Sequence, residues 1–247
     1  MSRPQLSVQL YSVRDHVAAD LEGTLARLAK IGFSAVEPFG LPTDSAKLKA
    51  ALQLTGLTAP TAHAALLENP QAAVQAALEV GTQLLIEPYQ PESRFQSRAE
   101  LLTLANQLSA AAEIAEAQGV SVAYHNHDHE IRNQIDGVPA LVALARETDP
   151  RVLFEVDLFW CEQALVDPVA VINALDGRVA ALHAKDAPKG AGTSGQVPLG
   201  QGDVRILSSL QSAPHARVVV EFDEYAGDLF GAIEESFAFL EKNGIRA

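Results

Sequence analysis

Runs of apolar and β-branched residues alternate eight times with longer segments of helical period, and no shift in composition interrupts the pattern. This repetition limits the fold more than any other feature of the chain. Parallel strands need helical crossovers, and open doubly wound sheets usually hold about five or six strands, whereas eight units close into a barrel. Spread over 247 residues, eight units take about 31 each, the size of one strand–helix step. The reading is a single-domain (β/α)8 TIM barrel spanning residues 1–247.

The pattern predicts strands over Leu6–Val13, Ala35–Phe39, Leu57–Ala64, Leu84–Pro88, Val120–His125, Val152–Phe159, Val179–Ala184 and Arg217–Phe222. Helices follow from periodicity and end signals. Leu21, Leu25 and Leu28 share one face before Gly32, and a second helix opens at Asp44. Asn69 caps a helix started by Pro70, and Ser97-Arg98-Ala99-Glu100 reads as a capping box ahead of a long helix ending near Gly119. Further helices are expected around Pro139–Arg146, from Asp167-Pro168, near Val204–Leu210 and over Asp228–Asn243.

Charge narrows the partners. Eighteen basic against thirty-one acidic side chains leave a formal charge of −13, a field that repels phosphate backbones and anionic lipid headgroups, so neither nucleic acid nor a membrane is an expected partner. Cys161 is the only cysteine, which excludes an internal disulfide and suits a reducing cytoplasm. Neither a signal core after Met1 nor an apolar run near the roughly 18 residues of a membrane span is expected.

In such a barrel the chemistry lies at the C-terminal ends of the strands. At or just beyond those ends stand Glu37, His63, Glu87, His125 to Glu130, Glu155, Asp157, Trp160, His183, Lys185, Asp186, Glu221, Asp223 and Glu224, which include five of the seven histidines. Imidazoles and carboxylates converging on one mouth are the ligands of a borderline divalent ion, Mn²⁺, Co²⁺ or Zn²⁺, more than of Mg²⁺. Strand alternation would point His125, His127 and His129 one way, and likewise Glu155 with Asp157 and His183 with Lys185.

The segments Tyr124-His125-Asn126-His127-Asp128-His129-Glu130, Phe154-Glu155-Val156-Asp157-Leu158-Phe159-Trp160, Leu182-His183-Ala184-Lys185-Asp186, Val197-Pro198-Leu199-Gly200-Gln201-Gly202 and Val219-Val220-Glu221 resemble the xylose isomerase-like, AP endonuclease family 2 barrels. That group includes sugar isomerases, sugar epimerases and inosose dehydratases. The resemblance implies one metal ion held by Asp157, His183 and Glu221, with a fourth ligand from strand five. Where many relatives carry Glu-Asn-His, this chain has His125-Asn126-His127; His125, Glu155 or Glu130 then supplies the fourth contact. It also implies association into dimers or tetramers.

A cation chelated by a carbonyl and its neighbouring hydroxyl acidifies the α-proton, and the resulting enediolate can isomerise, epimerise or expel a β-oxygen. Glu221 and His127 are the expected acid–base groups and Lys185 the cation beside the developing oxyanion. Glu37, His63, Glu87 and Trp160 are the expected substrate contacts. The leading expectation is a metal-dependent isomerase or epimerase of a neutral sugar or polyol. A lyase or dehydratase on a keto-sugar or inosose and a non-catalytic sugar-binding barrel are the alternatives, while −13 argues against the DNA-cleaving branch. Gly190-Ala191-Gly192-Thr193-Ser194-Gly195 satisfies G-x-G-x-x-G but runs into Gln196-Val197-Pro198 without a helix, so it is not a dinucleotide fingerprint. The segment Pro188–Asp203 is either a cover over the mouth or a solvated connection.

Overall fold

The computed structural model describes residues 6–41 and 43–245. Eight parallel strands form one sheet: β1 Leu6–Gln9, β2 Ala35–Glu37, β3 Thr61–His63, β4 Leu84–Glu87, β5 Ser121–His125, β6 Val152–Asp157, β7 Val179–Ala184 and β8 Arg217–Val220. Their order runs β2-β1-β8-β7-β6-β5-β4-β3. The seam between β2 and β3 is stitched by parallel bridges, Ala35 to Thr58 and Leu41 to Ala64, and by Val36 N–H donating to the Thr58 carbonyl at 2.9 Å. The sheet thus closes into a (β/α)8 barrel.

Period-two alternation divides the apolar residues between two cores. Val8, Val36, Leu85, Val122, Phe154, Leu182 and Val220 join helix residues such as Leu25, Leu108, Leu144 and Leu240 in the large cluster outside the strands. Leu84, Ile86 and Ala123 form a separate small plug within, flanked by Leu153 and Ala180. Toward the strand ends the inward positions turn polar. Glu37 on β2 reaches His183 on β7, and His63 on β3 reaches Glu155 on β6, so these side chains cross the barrel.

Several expected boundaries shift for local reasons. β1 stops at Gln9 because its side-chain Oε1 accepts Tyr11 N–H at 3.1 Å, turning Leu10–Val13 into a 3-10 segment. β3 is confined to Thr61–His63; Pro60 has no N–H to donate. β6 ends at Asp157, whose Oδ1 accepts Trp160 N–H at 3.0 Å and caps a helix Leu158–Gln163 inside the run expected to be strand. The chain leaves β5 at His125, and a helix Asp128–Arg132 follows, so strand alternation does not align His127 and His129 with His125. Asp44 precedes its helix in a left-handed conformation and makes no side-chain cap. A two-stranded hairpin, Gln134–Ile135 with Val138–Pro139, was not expected; Asp136 and Gly137 at its tip have φ of 53° and 79°, the signature of a tight primed turn. Among the described residues no helix is long and apolar enough to cross a membrane.

Candidate metal and substrate site at the barrel mouth

Three imidazoles and four carboxylates from six strands are packed into the C-terminal end of the barrel, all buried. Glu155 Oε2 lies 2.7 Å from His63 Nε2, 2.9 Å from His125 Nδ1 and 3.1 Å from His183 Nε2. His183 Nε2 also meets Glu37 Oε1 at 2.8 Å, and its Nδ1 meets Glu221 Oε2 at 2.7 Å. Gln9 Nε2 donates to Glu37 Oε1 at 2.8 Å. Higher in the mouth, Lys185 Nζ lies 2.6 Å from Glu221 Oε2, 3.0 Å from Asp157 Oδ2 and 3.0 Å from both oxygens of Asp223. Asp157 Oδ2 is 3.8 Å from His125 Nε2 and 4.0 Å from His183 Nδ1.

Two overlapping ligand groups result, His63, His125, Glu155 and His183 in one and Asp157, His183 and Glu221 in the other, each with atoms within 4.8 Å of one another. The donor set fits a borderline divalent ion. Glu37 Oε2 and Glu155 Oε1 are buried without a hydrogen-bond partner, as carboxylates beside a shared cation would be.

The electrostatics follow from this crowding. Burial alone would raise Glu37 and Glu221, but His63 and His183 beside the first, and Lys185 and His183 beside the second, hold both well below the carboxylate range. Glu155 is brought down to about 2 despite burial and the neighbouring Glu37, because His183 and His63 face it. Burial would lower His63, but Glu37 and Glu155 raise it to about 9. His125 goes the other way: burial, then the charge of His183, keep it neutral. His127 is pushed down to about 3 by burial and by Lys185. Burial lifts Asp157 to about 6 against the pull of Lys185 and His183. Lys185 stays charged because Asp157, Glu221 and Asp223 outweigh its burial.

Above this cluster opens a cavity of about 340 Å³ whose lining includes His63, His125, His127, Lys185, Glu221 and Asp223, with Tyr11, Phe39 and Tyr89 on its walls. The structure brings Glu37 beneath the cavity rather than into it. Glu87 is elsewhere: its carboxylate accepts Leu67 N–H at 3.1 Å and Gln90 Nε2–H at 2.9 Å, bracing loops. Trp160 lies beside the mouth, its ring 5.6 Å from that of His127 and 5.7 Å from Lys185 Nζ. Glu130 is drawn away from the cluster, accepting from the Tyr124 hydroxyl at 2.7 Å and from His127 N–H at 2.8 Å, which leaves Glu155 beside the imidazoles.

The segment after β7 is built into the rim. Asp186 accepts the backbone N–H groups of Ala187, Gly200, Gly202 and Val204 at 2.8–3.0 Å. Gln196 donates to Asp223 Oδ2 at 2.8 Å and accepts from Asp223 N–H at 2.7 Å. Gln9, Gln196, Tyr11, Phe39 and Tyr89 were not singled out from the sequence. Glutamines and aromatics carry no charge signal, and Tyr11 stood inside an expected strand.

Residues 25–243 match the family described as xylose isomerase-like TIM barrel. The chain belongs to that family. Among solved xylose isomerase-like barrels it is similar to a sugar phosphate isomerase/epimerase from Parabacteroides distasonis, 21% identical with a TM-score of 0.84, over 100% of this chain and 96% of that one. A probable 3-DHS dehydratase from Bacillus anthracis aligns at 15% identity and a TM-score of 0.74, covering 96% and 98% of the two chains. The IolI protein, solved with a zinc atom, aligns at 13% and 0.72, covering 96% and 97%. At these identities the likeness establishes the fold. No curated protein matches the chain.

Proposed function

We propose that this barrel is a divalent-metal-dependent enzyme that moves a proton on the carbon next to the carbonyl of a neutral ketose or polyol ketone, as an isomerase or epimerase. The observation that carries the reading is the joint exposure of His127, Lys185 and Glu221 to one cavity floored by His63 and His125. His125 and His183 are among the residues that would hold the ion (Mn²⁺, Co²⁺ or Zn²⁺), which would supply Lewis acidity toward a carbonyl oxygen and so acidify the neighbouring C–H. His127, whose Nδ1 has no hydrogen-bond partner, and Glu221, from another part of the rim, are the two unprotonated groups facing the cavity; the surroundings that keep them unprotonated also make each a weaker base than its ordinary form, so each acts on a C–H already acidified by the ion. The two groups stand just beyond β8 and β5, so removal and return of the proton can be handled by different residues. Lys185 holds its ammonium where an enediolate oxygen gains charge.

The substrate class follows from the lining. Among the described residues lining the cavity Lys185 is the one lysine or arginine, and Asp157, Glu221 and Asp223 surround its ammonium. A phosphate group would meet net negative charge, whereas Tyr11 and Phe39, edge to face at 5.5 Å, present apolar surface to the C–H side of a neutral sugar. A reducing cytoplasm is the setting this reading assumes, with Cys161 buried as a free thiol.

One observation favours a second reading, a dehydratase: the buried Lys185 ammonium can also donate a proton to a departing β-oxygen. Incubating the metal-loaded protein with unphosphorylated ketoses and inososes and analysing products separates the two. An isomer or epimer of unchanged mass supports the proposal; a product lighter by one water overturns it in favour of the lyase, and no turnover of any neutral ketone overturns both.

A further inference from the structure

The two ligand groups at the mouth are not equivalent, because His183 belongs to both and has one nitrogen for each. Its Nδ1 faces Glu221 Oε2 at 2.7 Å, the arrangement by which a carboxylate orients a metal-binding imidazole. That leaves Nε2, which points down toward Glu155 Oε2 at 3.1 Å and Glu37 Oε1 at 2.8 Å.

The upper group is already occupied by an internal cation. Lys185 Nζ lies 2.6 Å from Glu221 Oε2 and 3.0 Å from Asp157 Oδ2, the same two oxygens that face His183. A divalent ion placed among Asp157, Glu221 and His183 would share those oxygens with a fully buried ammonium, and like charges repel strongly out of water.

The lower group has the opposite problem. Three imidazole nitrogens crowd a single oxygen, Glu155 Oε2, at 2.7, 2.9 and 3.1 Å, while Glu155 Oε1 and Glu37 Oε2 have no hydrogen-bond partner although both residues are completely buried. Glu37 and Glu155 bring two negative charges against these imidazoles, and a divalent ion among them would take the place of the protons the imidazoles otherwise share with the carboxylates. Three neutral nitrogens and one carboxylate oxygen are a tetrahedral donor set for Zn²⁺ or Co²⁺. His63 and His125 also floor the cavity, so an ion held there can be reached by a ligand from above.

We infer that the cation in this chain is seated low, by His63, His125, His183 and Glu155, and that Asp157 and Glu221 serve Lys185 instead of the metal. The inference rests on the metal-dependent reading above and replaces the ligand set implied by the family resemblance in two of its four positions. It leaves Lys185 and Glu221 above the ion, facing substrate, with Glu221 orienting His183.

Glu155 and Asp157 offer a matched test, two residues apart on β6 and both removable without loss of shape. Asp157→Asn keeps the oxygen that caps the helix Leu158–Gln163. Cobalt binding to the full-length variants is measured by equilibrium dialysis, with thermal unfolding as the control for folding. Glu155→Gln is expected to lose more than the roughly 10–100-fold in affinity that follows removal of an outer partner, whereas Asp157→Asn stays within that range. Should Glu155→Gln fail to fold, zinc-loaded wild type with ¹⁵N-labelled histidine decides: the low seat shifts ring nitrogens of His63, His125 and His183, the upper one leaves His63 unmoved. Loss of cobalt from Asp157→Asn at least as great as from Glu155→Gln, or an unmoved His63, overturns the inference and leaves the proposed function standing. A wild type that binds no cobalt overturns both.

Discussion

A primary ammonium 1% exposed, with Asp157, Glu221 and Asp223 around it, is stabilised by contacts that water cannot supply or screen. Removing it leaves three carboxylates to repel one another. Lys185→Met should therefore destabilise the protein by about 3–5 kcal/mol, read by denaturant unfolding. In the folded remainder it should lower kcat by about 10²–10³ with little change in KM, as expected for a donor that acts on charge developing in the transition state. At the other end of β6, where no chemistry is expected, Asp149 pairs with Arg151 in solvent and contributes far less. It accepts from Arg151 Nε and Nη2, each at 2.9 Å, and Arg151 brings it down to about 2. A depressed carboxylate contributes stability that is present above its ordinary value near 4 and lost as pH falls through about 2. Asp149→Asn should then lose thermal stability at pH 7, with the difference from wild type shrinking between pH 4 and 2 and activity unchanged.

The segment between β7 and the helix Ile206–Ser212 shows how one residue can organise an element. Asp186 binds four backbone N–H groups spread over Ala187 to Val204, and Gly202 leaves no room for more: a Cβ there would meet Asp186 Oδ1 at 2.3 Å and backbone atoms of Ala187 at 2.6 Å. Asp186→Ala should cost about 3 kcal/mol or more through orphaned amides and open residues 188–203 to limited proteolysis, and Gly202→Ala should do the same in milder form. The sequence made this segment visible as a glycine-rich connection but not as a fixed rim, since a carboxylate that gathers amides has no periodic signature. The helices were easier to see. Asn69 caps as expected, Ser97 supplies its half of the expected capping box, and Asp167 caps the helix expected to open there, because a short polar side chain before an apolar repeat has few other uses. The Asp136-Gly137 hairpin was equally readable as a turn signal, but its strands are two residues each, too short for an alternating pattern.

For the whole molecule, eight strand–helix units were legible because each strand must be apolar on its outer face, where it meets a helix, whatever its ends carry. The candidate site was legible in part for the same reason: polar residues at strand ends stand out from that apolar background. Which of them touch was not, since Glu37 and His183, 146 positions apart, meet only when the barrel closes. A cation held by groups from several strands should lock that closure. Loading the protein to about 100 times the dissociation constant should add about 2.7 kcal/mol of stability, and chelation should remove it, seen as a reversible shift in melting temperature. Proton movement beside the carbonyl is tested by proton NMR of a neutral ketose or inosose incubated with the metal-loaded protein in D₂O. The account predicts loss of the signal from the carbon beside the carbonyl, abolished by chelation and restored by cobalt or manganese. Exchange that continues unchanged after the metal is removed, or none with any neutral ketone while metal is bound, would contradict it.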